Sequence, residues 1–188
     1  MNKGLLIVLS GPSGVGKGTI LAELMKDESL KIAYSVSMTS RQKREGETDG
    51  VSYRFVTREE FMEAVHRGEL LEWAEFVGNY YGTPVKGVEE LREAGKNVLL
   101  EIEIDGCRQV KRKVPDALTI YVIPPSMEEL ERRIRGRQTE PDEVVRARLA
   151  KAKLEMEQID EYKYVVCNDD YRHAAEIIRT IILNHMKG

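Results

Sequence analysis

The stretch Leu5-Leu6-Ile7-Val8-Leu9-Ser10-Gly11-Pro12-Ser13-Gly14-Val15-Gly16-Lys17-Gly18-Thr19 decides the fold. Its first five residues form a continuous apolar run bounded by turn residues, as in a parallel strand buried on both faces. From Gly11 to Lys17 the spacing is that of a phosphate loop. The glycines let backbone N–H groups turn inward on phosphates, and the lysine brings a point charge to them. A helix is predicted from Gly18 onward, with its positive end aimed at the same anions. Strand, loop and helix together imply an α/β protein that holds a nucleoside triphosphate through Gly11, Pro12, Ser13, Gly14, Val15, Gly16, Lys17, Gly18 and Thr19.

Working outward, strand-like apolar runs recur at 97–104, 117–123 and 163–167. Between them, helical stretches are predicted at 18–26, 84–94, 105–113, 126–135, 141–161 and 171–185. The fourth opens on the capping pattern Ser126-Met127-Glu128-Glu129 and the fifth on Pro141. Strands alternating with helices imply a P-loop NTPase-like parallel sheet wrapped by helices, here spread over 1–33 and 84–188. Residues 34–83 break the rhythm and read as a mixed α/β insertion. It contains the strand-like run 51–56, a short helix capped by Thr57 and Glu60, and a further strand-like stretch at 70–81. The polar, arginine-bearing segment around Arg135-Gly136-Arg137-Gln138-Thr139-Glu140-Pro141 lies between two helices, so 134–147 is expected to act as a short lid.

Lys plus Arg number 29 against 32 Asp plus Glu, a formal net charge of −3. No global basic field therefore points to nucleic acid, and any anion site must be local. Cys107 and Cys167 are isolated, and His66, His173 and His185 are scattered, which suggests neither a disulfide framework nor a zinc site. The apolar run 5–9 is too short to span a bilayer and passes straight into glycines, so the expected location is cytoplasmic, without a membrane.

One position departs from the general phosphate-loop motif. Gly18 stands where Ser or Thr usually offers a hydroxyl to magnesium, and Thr19 comes one residue late. Mg2+ is then expected on phosphate oxygens and waters, with no direct protein ligand assigned. Loops ending Gly-Lys-Gly-Thr resemble those of nucleoside monophosphate kinases more than those of signalling GTPases, and no Asn-Lys-x-Asp motif for reading guanine is present.

A kinase needs a second anion site for its acceptor. The insertion supplies arginine forks and phenolic hydroxyls at Arg41, Arg44, Tyr53 and Tyr81, all suitable donors to a phosphate. Three segments set these residues in a longer series: Ser37-Met38-Thr39-Ser40-Arg41-Gln42-Lys43-Arg44-Glu45-Gly46-Glu47, Gly50-Val51-Ser52-Tyr53-Arg54-Phe55-Val56 and Leu71-Glu72-Trp73-Ala74-Glu75-Phe76-Val77-Gly78-Asn79-Tyr80-Tyr81-Gly82-Thr83. The series closely resembles the guanylate kinase family. The resemblance runs from the phosphate loop through Leu100-Glu101-Ile102-Glu103 and Arg137-Gln138-Thr139-Glu140 to Asn168-Asp169-Asp170.

The resemblance implies that ATP phosphorylates GMP, and dGMP as well, to the diphosphate with release of ADP, as a step in purine nucleotide metabolism. It places the GMP phosphate on Arg41, Arg44, Tyr53 and Tyr81, with Glu47 in the same set, and the guanine base on Ser37, Glu72 and Thr83. Guanine recognition also has a chemical basis in the residues themselves. A carboxylate at Glu72 accepts both N1–H and the exocyclic amine of guanine, whereas adenine offers neither and leaves the charge unpaired. Glu101 and Glu103, two apart on the predicted strand 97–104, share a face and are expected to border the acceptor and the metal. In the family the second of these is usually Asp, and a later Gln is replaced here by Asp105. Lys17, Arg133, Arg137 and Arg148 are implied to stabilise the charge in transfer, and Asn168 to lie near the donor adenine. The expected assembly is a monomer or homodimer. The same likeness extends to non-catalytic guanylate-kinase-like modules of scaffolding proteins, from which the intact phosphate loop and the lid arginines separate this chain.

Overall fold

The computed structural model describes residues 3–136 and 141–187. In chain order the elements are β1 (Leu6–Ser10), α1 (Lys17–Leu24), β2 (Ile32–Ala33), β3 (Met38–Thr39), β4 (Arg54–Phe55), α2 (Arg58–His66), β5 (Leu70–Phe76), β6 (Asn79–Pro84), α3 (Val85–Glu93), β7 (Asn97–Glu101), α4 (Ile104–Lys113), β8 (Leu118–Ile123), α5 (Met127–Arg135), α6 (Asp142–Met156), β9 (Tyr164–Cys167) and α7 (Tyr171–Met186). The chain divides into two compact units. One comprises residues up to Leu6 with Ile32–Leu100 and Asp105–Ala117, and the other comprises Ile7–Lys31, Glu101–Ile104 and everything from Leu118 onward. The segment 34–83 lies wholly in the first unit, which also takes in 84–100 and 105–117.

The second unit carries the phosphate loop. Its strands β1, β8 and β9 pair in parallel, with Ile7 opposite Leu118 and Ile120 opposite Tyr164. Every residue of β1 is buried, as the unbroken apolar run requires of a strand covered on both faces. Helix α7 turns Ala174, Ile178 and Ile182 inward at four-residue spacing, a single buried stripe. It begins where Asp170 accepts hydrogen bonds from the N–H groups of Arg172 and His173, at 2.9 and 3.0 Å. Among the described residues, no helix is long and apolar enough to cross a membrane.

The first unit pairs β2 with β7 in parallel and holds a four-stranded sheet in the order β4-β3-β6-β5. Met38, Phe61, Ala64 and Leu70 form the core behind that sheet. Phe61 stacks on Tyr80 with ring centroids 5.4 Å apart, and Trp73 meets both rings edge-on. Helix α2 starts with a reciprocal capping box: Glu60 N–H donates to Thr57 Oγ1 at 3.1 Å, and Thr57 N–H donates to the Glu60 carboxylate at 2.7 Å.

Two elements differ from the sequence expectation. In the run 51–56 only Arg54–Phe55 is strand, because Val51 and Ser52 fold into turns on Thr48 through hydrogen bonds from their N–H groups. The strand expected over 97–104 stops at Glu101, and α4 begins at Ile104. Ile104, Cys107 and Val110 are all buried at three-residue spacing, so Ile104 belongs to a helical stripe and not to the pleat.

Candidate active site

The loop after β1 is shaped by glycines at positive φ. Gly14 has φ 87°, and a Cβ there would meet Ile134 Cγ1 at 2.7 Å. Gly16 has φ 100°, and a Cβ there would lie 2.6 Å from Asn168 Nδ2. Both positions exclude a side chain by conformation and by contact. No side chain caps α1, which starts at Lys17. The first-turn N–H groups therefore remain available to an anion, and the helix dipole favours one there.

Lys17, Arg148, Glu101 and Glu103 line one cavity of about 280 Å3 beside this loop. The Lys17 Nζ donates to the carbonyls of Gly11 at 2.6 Å and Pro12 at 3.4 Å, and stands 3.9 Å from Glu101. Burial drives the Lys17 ammonium below its ordinary pKa, and Glu101, Glu155 and Glu103 oppose that shift. Arg148, on α6, donates to Ser13 Oγ at 2.6 Å. Ser10 Oγ donates to the carbonyl of Ile102 at 2.6 Å and so fixes the turn that follows β7. Because β7 ends at Glu101, the shared cavity of Glu101 and Glu103 comes from this turn. The strand alternation expected for the pair is corrected accordingly.

Arg133 faces a second cavity of about 280 Å3, together with Gly14, Gly16, Thr19 and Asn168. Its guanidinium donates to the carbonyls of Val15 at 3.2 Å and Asn168 at 2.9 Å, and to Glu129 at 2.7 Å. Glu129, shared between Arg132 and Arg133, is held down to about pKa 2 by those hydrogen bonds. Asn168 is buried. Its amide donates to the Val15 carbonyl at 2.8 Å and its N–H to Ile123 O at 2.8 Å. The structure thus separates Arg133 from the cavity of Lys17 and Arg148. Arg137, the whole Arg137-Gln138-Thr139-Glu140 sequence and its expected role lie outside the described residues. Asp105 sits in the first turn of α4, 2.8 Å from Arg108.

The expected acceptor residues gather within the first unit. Arg41 and Glu47 form a two-pronged pair at 3.1 and 2.7 Å, and Glu47 also accepts from the N–H of Arg44 at 2.8 Å. The Arg41 guanidinium lies 5.5 Å from the Tyr53 ring centre, and Tyr53 meets Tyr81 edge-on at 6.2 Å. Hydrogen bonding from Arg41 keeps the Glu47 carboxyl below the ordinary carboxylate range. The register of β5 and β6 puts Glu72 opposite Thr83, and Thr83 Oγ1 donates to the Glu72 carboxylate at 2.5 Å. Glu72 is only 7% exposed, and burial pushes its carboxyl above the ordinary value despite the Thr83 hydrogen bond and the nearby Lys113. Ser37 immediately precedes β3, and its carbonyl accepts from Arg54 N–H at 2.8 Å.

Two contributors escaped the sequence reading. Gln109, on α4, brackets Trp73 next to Glu72, accepting from its N–H at 3.1 Å and donating to its carbonyl at 2.9 Å. Glu155, on α6, lines the cavity of Lys17. Each is a lone polar residue on a charged helix, and no local motif marks it.

The family model described as guanylate kinase matches residues 3–185. A guanylate kinase of Bacillus anthracis is 53% identical over 181 residues, covering 96% of this chain and 88% of that one. A guanylate kinase of Desulfitobacterium hafniense is 52% identical over 182 residues, covering 97% and 90%. The crystal structure of guanylate kinase from Anaplasma phagocytophilum aligns with a TM-score of 0.73 at 35% identity, covering 98% of this chain and 87% of that one.

Proposed function

The chain belongs to the guanylate kinase family and phosphorylates GMP to GDP with ATP as donor, and we propose that it does so with the residues gathered in its two units. The observation that carries the guanine assignment is the buried Glu72 carboxylate beside Thr83 Oγ1. A dehydrated carboxylate needs donors, and the N1–H and exocyclic amine of guanine provide two. Adenine leaves that charge unpaired, a mismatch that discriminates by about 10⁴-fold in sites of this kind.

In this reading Arg41, Arg44, Tyr53 and Tyr81 bind the acceptor phosphate, and Ser37, Glu72 and Thr83 the base. Glu47 is an anion and is already spent on Arg41 and on the Arg44 N–H, so it orients the phosphate ligands and touches no phosphate itself. On the donor side, the N–H groups of 11–19 and the Lys17 ammonium receive the triphosphate. Arg148 adds charge from the same cavity, Glu101 and Glu103 border it, and Arg133 and Arg137 complete the donor set. Arg133 spends three of its five N–H donors on Glu129, Val15 O and Asn168 O, which leaves two for phosphate oxygens. Transfer needs little chemistry from the protein. The acceptor oxygen is already anionic near neutral pH, so positioning and positive charge around the transferred group lower the barrier. Among the described residues no three His, Cys, Asp or Glu side chains converge on a metal position, and Gly18 carries no hydroxyl. That donor set suits Mg2+ carried in on the ATP phosphates with water in its remaining positions, and no side chain is assigned to it. The bound ion neutralises phosphate charge. The proposed reading extends to dGMP as an acceptor.

The test is a phosphotransfer assay with ATP against GMP, dGMP, AMP, CMP and UMP, run on the wild type and on Glu72→Gln. GMP is expected to dominate, and the variant to lose GMP turnover while still binding ATP. Equal use of AMP by the wild type refutes the guanine assignment. ATP binding without GMP-dependent ADP formation marks a non-catalytic module instead.

A further inference from the structure

The cavity around Lys17 contains a carboxylate that the reaction as described leaves without a task. Glu155 reaches it from α6, and its side chain is 17% exposed. Lys17 is 14% exposed, yet its short hydrogen bonds go to neutral carbonyls of its own loop. Glu101, the carboxylate in ion-pair range at 3.9 Å, is 45% exposed and so partly screened by solvent. Glu155 is better shielded than Glu101, so solvent screens its charge less. The charged and titratable groups around this pair are Glu101 and Glu103 at the end of β7 and the turn beyond it, Tyr121 from β8, and Arg148 and Lys151 from α6. Lys151 is committed to Glu103 at 2.8 Å and stands 3.7 Å from Glu155. The Tyr121 hydroxyl is buried with no hydrogen-bond partner among the described residues, which leaves an O–H donor unspent beside this cavity.

We infer that Glu155 is a positioning residue for phosphoryl transfer, holding the Lys17 ammonium within the cavity until the triphosphate takes it over. Burial works against the charge on Lys17, and Glu155 ranks after Glu101 and before Glu103 among the groups that oppose it. Burial equally pushes the Glu155 carboxyl up, with Lys151 and Lys17 pulling it down. The two charges therefore support each other. The inference rests on the role given to Lys17 above.

The experiment is the pH dependence of kcat/KM for ATP at saturating GMP, in the wild type, Glu155→Gln and Glu155→Asp. That ratio reports groups of the enzyme before ATP binds. In Glu155→Gln the alkaline limb is expected to move down by about one pH unit, the shift typical of losing one close opposite charge, with about a tenfold loss of kcat/KM above the limb. Glu155→Asp should fall between. The profile of kcat/KM for GMP at saturating ATP should keep its limb, because phosphates then surround Lys17. An unmoved alkaline limb overturns the inference even if the melting temperature drops, since that is a structural role alone. A rise in kcat/KM for ATP at every pH overturns it too, by showing that Glu155 merely repels phosphate. If Glu155→Gln does not fold, Glu155→Asp decides, because its limb must move the same way. Lys17→Ala separates the two levels: turnover retained there refutes the role of Lys17 itself, whatever Glu155 does.

Discussion

At Glu72 one side chain is asked for opposite things by stability and by recognition. Its carboxyl is pushed above the ordinary value chiefly by burial, so the folded state holds a proton over a pH range where the unfolded chain has released it. Stability from this group is therefore highest at acid pH and falls as pH rises from the unfolded value through the raised folded one. Wherever Glu72 is ionised it is a net cost to the unliganded fold. Glu72→Gln keeps the shape and the acceptor for Thr83 Oγ1 while removing the charge. The variant is expected to melt a few degrees above the wild type at pH 8 without ligand, with the gain shrinking toward pH 5. Thermal denaturation across that range checks it, and a gain that grows on acidification contradicts the burial argument. The Glu72 and Thr83 pair was legible in the sequence because both fall inside an ordered motif. Gln109 was not, because it stands 36 positions from Trp73 and only the fold brings its amide to that backbone. Glu155 was hidden for a different reason: its helix carries so many charges that any one of them reads as solvated.

At the level of the element, the β5–β6 hairpin carries local strain. Phe76 pairs with Asn79 across the two-residue loop Val77-Gly78, whose φ values are 48° and 72°. Positive φ at both central residues is the geometry of a type I′ turn, which suits the twist of the strands but favours Asn-Gly. Val77 is β-branched, left-handed and 81% exposed, so it lacks burial to compensate for its backbone. Replacing it with Asn should stabilise the protein by about 1 kcal/mol and raise Tm by ~2–4 °C, with KM for GMP unchanged. Calorimetry on Val77→Asn decides, and an unchanged or lower Tm shows that the strain is relieved elsewhere. The sequence reading took 70–81 as one strand-like stretch, and the structure breaks it at Val77-Gly78 into two strands, β5 and β6. The end of β7 was not legible in the sequence either. Ile102 and Ile104 continue the alternation that Leu100 and Glu101 begin, and only packing shows that Ile104 starts a helical stripe with Cys107 and Val110. The parallel character of β1 and β8 followed from unbroken apolar runs bounded by turns, whereas β9 leaves Val165 42% exposed and does not share that pattern. Such runs require cover on both faces, whatever the partners.

Across the whole molecule, the residues assigned to the two nucleotides fall largely in different units. The guanine and acceptor-phosphate set, from Ser37 to Thr83, belongs to the first, and the phosphate loop with Arg133, Arg148 and Asn168 belongs to the second. Each unit has its own buried core, so a substitution in one set should leave the other set folded and competent. Ligand binding provides the measure, because a ligand that binds only the folded state stabilises it by about 2.7 kcal/mol at a concentration of 100 Kd. In the wild type, GMP and a non-hydrolysable ATP analogue are each expected to raise Tm when added alone. Glu72→Gln should lose most of the GMP shift and keep the analogue shift, and Lys17→Ala should do the reverse. If either substitution removed both shifts, donor and acceptor recognition would be one cooperative event, and the assignment of separate residue sets would fail. If the losses separate, the phosphate loop accounts for the donor and the 34–83 insertion for the choice of acceptor, so changing the acceptor base means altering Ser37, Glu72 and Thr83 while leaving 11–19 untouched.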